Sequence, residues 1–197
     1  MKFPQGVERA LAVGMLFWAC SSVDASKGGA SNGGGGNAGS NSNWDGGPCT
    51  PDYACTPTAP STGDDYADCV TRVNQFRACV CLGPLARNSA AEACADQQAQ
   101  YDNQTGTSHS GFTNNICTPR GSAQNECPGW ASVSQTIGKC MLQMFDEGPP
   151  PSSPCNGTCF QTYGHFINMT NTSYKSVACG FYTTASGQIW QVQNYFP

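Results

Sequence analysis

Apolar and polar positions divide the globular part of the chain into three helical segments followed by strands. From Tyr66 to Phe76, apolar residues recur at steps of three and four, which predicts an amphipathic helix capped near Asp64. The same spacing predicts a second helix over residues 89–101 and a third over residues 132–147, which glycine and three prolines stop. The second helix is predicted to bury one face: Ala90, Ala93, Cys94, Gln97 and Tyr101.

Beyond Cys159 the pattern changes to β-branched and aromatic residues, which are typical of strands. Three strands are predicted, over residues 164–169, 176–184 and 188–196. A tight hairpin is predicted between the last two, because Gly187 accepts the positive φ that such turns need. Helices followed by an antiparallel sheet indicate the α+β fold class.

The chain contains thirteen cysteines, far more than cytosolic proteins of this size use. Their spacings do not match the paired ligand runs of zinc fingers, so we interpret them as disulfides formed in an oxidising compartment. If Cys20 belongs to a leader, twelve cysteines are left, enough for six bridges. Cys49 and Cys55 are then either pinned to the domain or closed as a small loop.

The N-terminal residues 1–20 have the pattern of a signal peptide. Lys2 and Arg9 precede an uncharged apolar run that ends at Cys20 and is too short to span a bilayer permanently. Cys20 resembles the lipidated first residue of a bacterial lipoprotein, although Phe17 departs from the leucine usual there. The alternative is ordinary cleavage nearby, without an anchor. Either way the protein is predicted to be extracellular or in the cell envelope, with an outer-surface lipoprotein as the anchored form.

Residues 21–62 form a linker and a cysteine-containing extension, and residues 63–197 form the globular domain. Residues 21–47 are almost entirely small or polar, so they are predicted to be a disordered tether. The net charge of -4 and the lack of any Lys/Arg cluster argue against nucleic acid as a partner. Contact with a membrane is therefore expected only through an N-terminal lipid anchor.

The only two histidines, His109 and His165, are the sharpest chemical signal in the chain. Each lies in a short motif, and Glu126 and Glu147 are candidate acids to accompany them. Imidazoles brought together with carboxylates can hold a divalent cation, share protons or polarise a small ligand.

Several short motifs occur in a fixed order along residues 64–196, and together they resemble one known family. In chain order they are Val73-Asn74-x-Phe76-Arg77, Gly83-Pro84-Leu85, an alanine-rich helix, His109-Ser110, the segment around Glu126, Phe145-x-Glu147, Gly164-His165-Phe166-x-Asn168-Met169 and Val177-x-Cys179-Gly180. This ordered set resembles the CAP superfamily, the cysteine-rich secretory, antigen 5 and pathogenesis-related-1 proteins, and in particular its bacterial members.

That resemblance implies a disulfide-rich three-layer α-β-α sandwich whose central cleft presents two histidines and two glutamates. The matching motif positions assign this tetrad to His109, Glu126, Glu147 and His165. Around Glu126 the chain departs from the usual Gly-Glu-Asn of the family, because it has Gln124-Asn125-Glu126.

The resemblance implies, as the leading functional hypothesis, a binding module whose ligand is a lipid, a sterol or a protein. The imidazoles of His109 and His165 also suit Zn²⁺ as a cofactor, with the glutamates or water completing the site. The alternative is an extracellular peptidase or esterase using the same cleft. Ser110 lacks a Gly-x-Ser-x-Gly context, so no catalytic residue is assigned and a non-enzyme is favoured. A third hypothesis is a disulfide-hardened adhesion scaffold.

Overall fold

The structure is a computed structural model that describes residues 49–151, 154–155 and 157–197. The predicted signal peptide, the predicted lipidation at Cys20 and the predicted tether of residues 21–47 lie outside the described residues. Among those described, no helix combines the length and the apolar character needed to cross a membrane.

Three helical regions appear where the spacing of apolar residues predicts them. The first, α1, spans Asp65–Cys79, and the Asp64 side chain caps it by accepting a hydrogen bond from the Ala67 amide. A single 3₁₀ turn, Ser89–Ala91, opens the second helix. The remaining helices are α2 (Glu92–Thr105), α3 (Ser110–Thr113), α4 (Val133–Gln135), a π-helical turn (Thr136–Cys140), α5 (Met141–Phe145) and α6 (Thr158–Thr170).

The buried face of α2 is offset from the predicted one. Ala90, Ala93 and Gln97 are exposed, while the buried side chains are Ala91, Cys94, Ala95, Gln98, Ala99 and Asp102. The cause is a close approach to the sheet: a Cβ on Gly180 would lie 2.2 Å from the backbone carbon of Ala95. The face with Ala95 and Ala99 fits against the sheet at that distance.

The sheet has four strands in the order β1-β3-β4-β2. They are β1 (Ala86–Arg87), β2 (Ala123–Trp130), β3 (Ser176–Thr183) and β4 (Ile189–Phe196). β3 and β4 form the predicted antiparallel hairpin, with Gly187 at φ +82°, and β4 pairs antiparallel with β2. β1 is parallel to β3.

The strand predicted over residues 164–169 is wrong, because this segment lies within the helix α6. A short apolar run does not separate a strand from a buried helix by periodicity alone. Here packing decides: the Phe166 ring lies 5.5 Å from that of Phe145, and both side chains are buried.

Helices cover both faces of the sheet, which confirms the three-layer α-β-α sandwich. On one face, α1, α5 and α6 share a core with Val177, Cys179 and Tyr195 of the sheet. On the other face, α2 packs against Val192 of β4.

Six disulfides pair all twelve described cysteines, as their number predicts. The pairs are Cys49–Cys81, Cys55–Cys79, Cys69–Cys179, Cys94–Cys117, Cys127–Cys140 and Cys155–Cys159. Cys49 and Cys55 are thus pinned to the domain at the end of α1, rather than to each other.

Candidate functional site

His109 lies in the tight connection between α2 and α3, with a left-handed φ of 62°. Buried carboxyl groups hold this connection from below. Asp102 Oδ1 accepts hydrogen bonds from Ser110 Oγ at 2.7 Å and from the Gly111 amide at 2.6 Å. Glu126 Oε2 accepts one from the His109 amide at 2.6 Å. The unusual backbone of His109 is therefore fixed by hydrogen bonds to two buried carboxyl groups.

The ring of His109 is oriented by a buried amide network. Its Nδ1 lies 2.8 Å from Gln124 Oε1. The amide nitrogen of Gln124 donates to Gln98 Oε1 at 2.9 Å and to Asn194 Oδ1 at 3.1 Å, so its oxygen is left as the acceptor. We therefore assign the proton to Nδ1 of His109, which leaves a lone pair on Nε2.

His165 is oriented in a parallel way, but by a carboxylate. The Glu147 side chain accepts from His165 Nδ1 at 2.5 Å and from the backbone amides of His165 and Phe166 at 3.0 and 3.2 Å. The Glu147 carboxylate can only accept hydrogen bonds, so Nδ1 of His165 must be a donor and also carries a proton. The Nε2 atom of each imidazole is thus the one available to a ligand.

Both histidines line one cavity of about 260 Å³. Its other lining residues are Gln124, Phe160, Gln161, Gly164 and Asn168. Phe160 is 45 % exposed, and with Phe112 it also lines an adjoining depression of about 280 Å³. The site therefore has polar groups from β2 and α6 and exposed aromatic surface beside them.

Glu126 lies beneath this cavity, where its side chain is almost fully buried. Burial, together with the neighbouring charge of Asp102, raises the pKa of Glu126 to about 8. Asp102 is itself completely buried. Among the described residues, neither Asp102 Oδ2 nor Glu126 Oε1 has a hydrogen-bond donor. At neutral pH Glu126 is therefore largely protonated.

The structure places the four residues of the predicted tetrad as two pairs, His109 with Glu126 and His165 with Glu147. The histidines line the cavity, whereas the glutamates hold them from behind through backbone and ring contacts. Within residues 49–151, 154–155 and 157–197, no three His, Cys, Asp or Glu side chains form a group suited to a metal ion.

Sequence reasoning missed Phe160 and Gln161 of the cavity lining, and it missed two residues that hold the His109 loop and ring, Gln124 and Asp102. Gln124 precedes Glu126 by two positions, so the alternation of a strand puts both on the His109 side. Recognising β2 as a strand would have revealed Gln124. Asp102 gives no comparable signal, since it becomes a neighbour of Glu126 only through the packing of α2 on the sheet.

Comparison with known proteins agrees with this architecture. The sequence model of the "Cysteine-rich secretory protein family", CAP, matches residues 70–195. Among solved structures, the chain is similar to venom allergen-like protein 4 of Schistosoma mansoni, with 18% sequence identity and a TM-score of 0.50. The match covers 69% of this chain and 90% of that one, and it shows a shared fold. No curated protein sequence matches significantly.

Proposed function

The chain belongs to the cysteine-rich secretory protein (CAP) family, and from that premise we propose that it is an extracellular binding module whose ligand enters the cavity between His109 and His165. Family membership and six disulfides indicate a secreted or extracellular protein. The binding role is supported by the convergence of two imidazoles on one cavity.

The observation that carries the proposal is the shared orientation of the two rings. Gln124 and Glu147 engage Nδ1 of His109 and His165, so each Nε2 is left with a lone pair. Such nitrogens accept a hydrogen bond from a small ligand or coordinate a cation. The cavity suits a small molecule or the polar end of a larger lipid, sterol or protein ligand, with Phe160 available for apolar contact.

A divalent cation such as Zn²⁺ is one ligand of suitable chemistry. Two neutral imidazoles are good ligands for Zn²⁺, but the carboxyl groups of Glu126 and Glu147 already accept hydrogen bonds from the protein. A site of four protein ligands does not fit this arrangement. A two-histidine site completed by water does, and it would be weak.

Two measurements test the proposal. Zn²⁺ added at constant ionic strength should raise the melting temperature of the wild type and leave a His109→Ala/His165→Ala variant unmoved. An equal shift in both would mean that Zn²⁺ does not bind at the two histidines.

Screening lipids, sterols and small polar molecules by imidazole ¹⁵N NMR tests whether the cavity binds any ligand, with Lys139→Gln as a control away from the cavity. If no ligand perturbs either ring, the cavity is not a binding site.

Hydrolysis is the second candidate, because the His165–Glu147 pair resembles a general base and the group that orients it. Ser110, which follows His109, is not free to act as a nucleophile, because its Oγ is held by Asp102 at 2.7 Å and by Thr105 at 2.8 Å. If the wild type hydrolysed members of a peptide or ester library and Glu147→Gln did not, the result would support catalysis over binding.

The adhesion scaffold would instead be supported by a protein partner that binds the His109→Ala/His165→Ala variant as well as it binds the wild type.

We also propose that Cys20 is the lipidated first residue of the mature protein. The apolar run before Cys20 and the pairing of every described cysteine with another support this proposal. Replacing Cys20 by Ser should move the protein from the membrane fraction to the soluble fraction. The proposal would be contradicted if the Cys20→Ser variant stayed in the membrane fraction while mass spectrometry showed that its N-terminus carries no lipid.

A further inference from the structure

A second cavity of about 260 Å³ shares no lining residue with the histidine cavity. It lies between the connection that follows α1 and the segment that leads into β3. Its lining consists of Arg77, Leu82, Gly83, Pro84, Thr172, Tyr174 and Lys175. Two of these side chains are cationic and none is acidic, so the cavity is electropositive in a chain whose net charge is -4.

Arg77 is the buried cation of this cavity, with only 4 % of its surface exposed. Three of its five N–H donors bind backbone carbonyls, those of Gly83 at 2.8 Å, Met169 at 2.9 Å and Asn171 at 3.0 Å. Nη2, which carries the other two, makes no hydrogen bond within the described part of the chain. These contacts join α1 to the loop at Gly83 and to the C-terminal end of α6, yet they use neutral groups only.

The charge of Arg77 is therefore left without a counter-charge in the described residues. Burial lowers the pKa of its guanidinium, and no carboxylate of the residues that the structure describes lies within ion-pair distance. Arg87 shows the contrast, because it is exposed and paired with both Asp64 and Glu92. A buried cation with two free donors facing a cavity is an incomplete pair that an anion can complete.

Lys175 supplies the second charge. Its side chain is exposed, and its Nζ makes one long contact, 3.4 Å to the Thr172 carbonyl. An ammonium with one weak partner can reorient towards a bound anion at little cost.

We propose that this cavity binds a small oxyanion of the phosphate class through Nη2 of Arg77 and Nζ of Lys175. Arginine and lysine are the side chains that proteins use for phosphate, because they combine full charge with several donors. The volume accommodates a phosphate with a small substituent, so the source is either a soluble phosphate or the headgroup of an anionic lipid. This site is independent of the function proposed for the histidine cavity.

The test is titration of the full chain with inorganic phosphate, with chloride adjusted to constant ionic strength, followed by amide NMR and calorimetry. Wild type should bind with shifts centred on residues 172–175. Lys175→Gln should weaken binding about tenfold, since one charge-assisted hydrogen bond is lost. Lys139→Gln is the matched control, and with His109→Ala/His165→Ala it should bind phosphate as the wild type does.

Charge reversal gives a second variant that leaves the Arg77 contacts intact. Lys175→Glu puts a carboxylate beside the guanidinium and should abolish phosphate binding while the protein stays folded. Binding of wild type, but not of Lys175→Glu, to vesicles containing phosphatidic acid would assign the lipid headgroup as the source. Phosphate binding without vesicle binding would assign a soluble oxyanion. The proposal would be overturned if the wild type bound no phosphate. It would also be overturned if Lys175→Gln and Lys175→Glu bound phosphate as tightly as the wild type does.

Discussion

Asp102 of α2 and Glu126 of β2 are two buried carboxyl groups in contact, and together they hold the backbone of residues 109–111. Each uses one oxygen to accept hydrogen bonds from that loop. The two remaining oxygens have no donor in the described residues, and burial beside Asp102 keeps Glu126 largely protonated at neutral pH. The hydrogen bond that holds the His109 backbone therefore depends on the protonation state of Glu126.

The first prediction concerns the pH dependence of stability. The pKa of Glu126 is about 8 in the folded protein and 4.5 in an unfolded chain, so between these values the folded state holds more protons. The free energy of unfolding should then fall as pH rises from about 5 to 8, by at most about 1.4 kcal/mol per pH unit. Glu126→Gln should remove this fall, because the amide is neutral at every pH and its NH₂ can donate to Asp102.

Chemical denaturation of both proteins at pH 5 and pH 8 measures the effect. Comparing the pH dependence of the two proteins cancels the titration of groups that they share. The variant should gain stability relative to wild type as pH rises. Parallel pH profiles would show that Glu126 does not titrate in this range.

A second prediction isolates the role of Gln124. Gln124→Leu removes the acceptor for His109 Nδ1 and the donor to Asn194 Oδ1, whereas Gln98 Oε1 keeps the hydrogen bond from Asn194 Nδ2 at 2.7 Å. The unfolding free energy should fall by about 1–3 kcal/mol, the cost of leaving buried polar groups unsatisfied. Imidazole ¹⁵N shifts should show His109 losing its preference for the Nδ1–H tautomer.

The control for Gln124→Leu is Gln97→Leu, which changes an exposed residue of α2. It should alter stability by no more than about 0.5 kcal/mol. A His109 spectrum that is unchanged in Gln124→Leu would mean that another group sets the tautomer.

Gln124 and Glu126 also show how much of the structure can be predicted from the sequence alone. The helix α1 and the β3–β4 hairpin follow from local rules: regular apolar spacing, the Asp64 cap and a glycine at the turn. β2 does not, because its buried positions include Gln124 and Glu126, whose burial depends on partners distant in sequence. Hydrophobic patterning has no signal for a strand stabilised by buried amides and carboxyl groups.

The candidate site divides in the same way. The two histidines and Glu147 could be named in advance because they lie in short motifs that resemble a family. The partners of Glu126 could not, since its contact with Asp102 spans α2 and β2. The same limit applies to α6: the apolar run that contains His165 fits a strand locally, yet in the structure it is a helix whose Phe166 packs on Phe145.

A third prediction tests the close approach of α2 to the sheet. A Cβ on Gly180 would lie 2.2 Å from the backbone carbon of Ala95, so Gly180→Ala must displace the helix. We expect the unfolding free energy to fall by about 1–3 kcal/mol or more. Gly83→Ala is the matched control, because its Cβ would meet nothing within 4 Å. Equal stability of the two variants would contradict the tight packing.

The last prediction ranks two disulfides by the loops they close. Cys69–Cys179 links α1 to β3 across 110 residues, whereas Cys155–Cys159 closes a loop of only 4. Chain entropy lost from the unfolded state grows with loop length, which corresponds to about 5 kcal/mol for the long loop and about 2 kcal/mol for the short one. Cys69 and Cys179 are also completely buried, so removing their bridge leaves a cavity in the core. Replacing both cysteines of each pair by Ala, and measuring denaturant unfolding, should show the larger loss for Cys69/Cys179. An equal or smaller loss would mean that the other five bridges already restrict the unfolded chain.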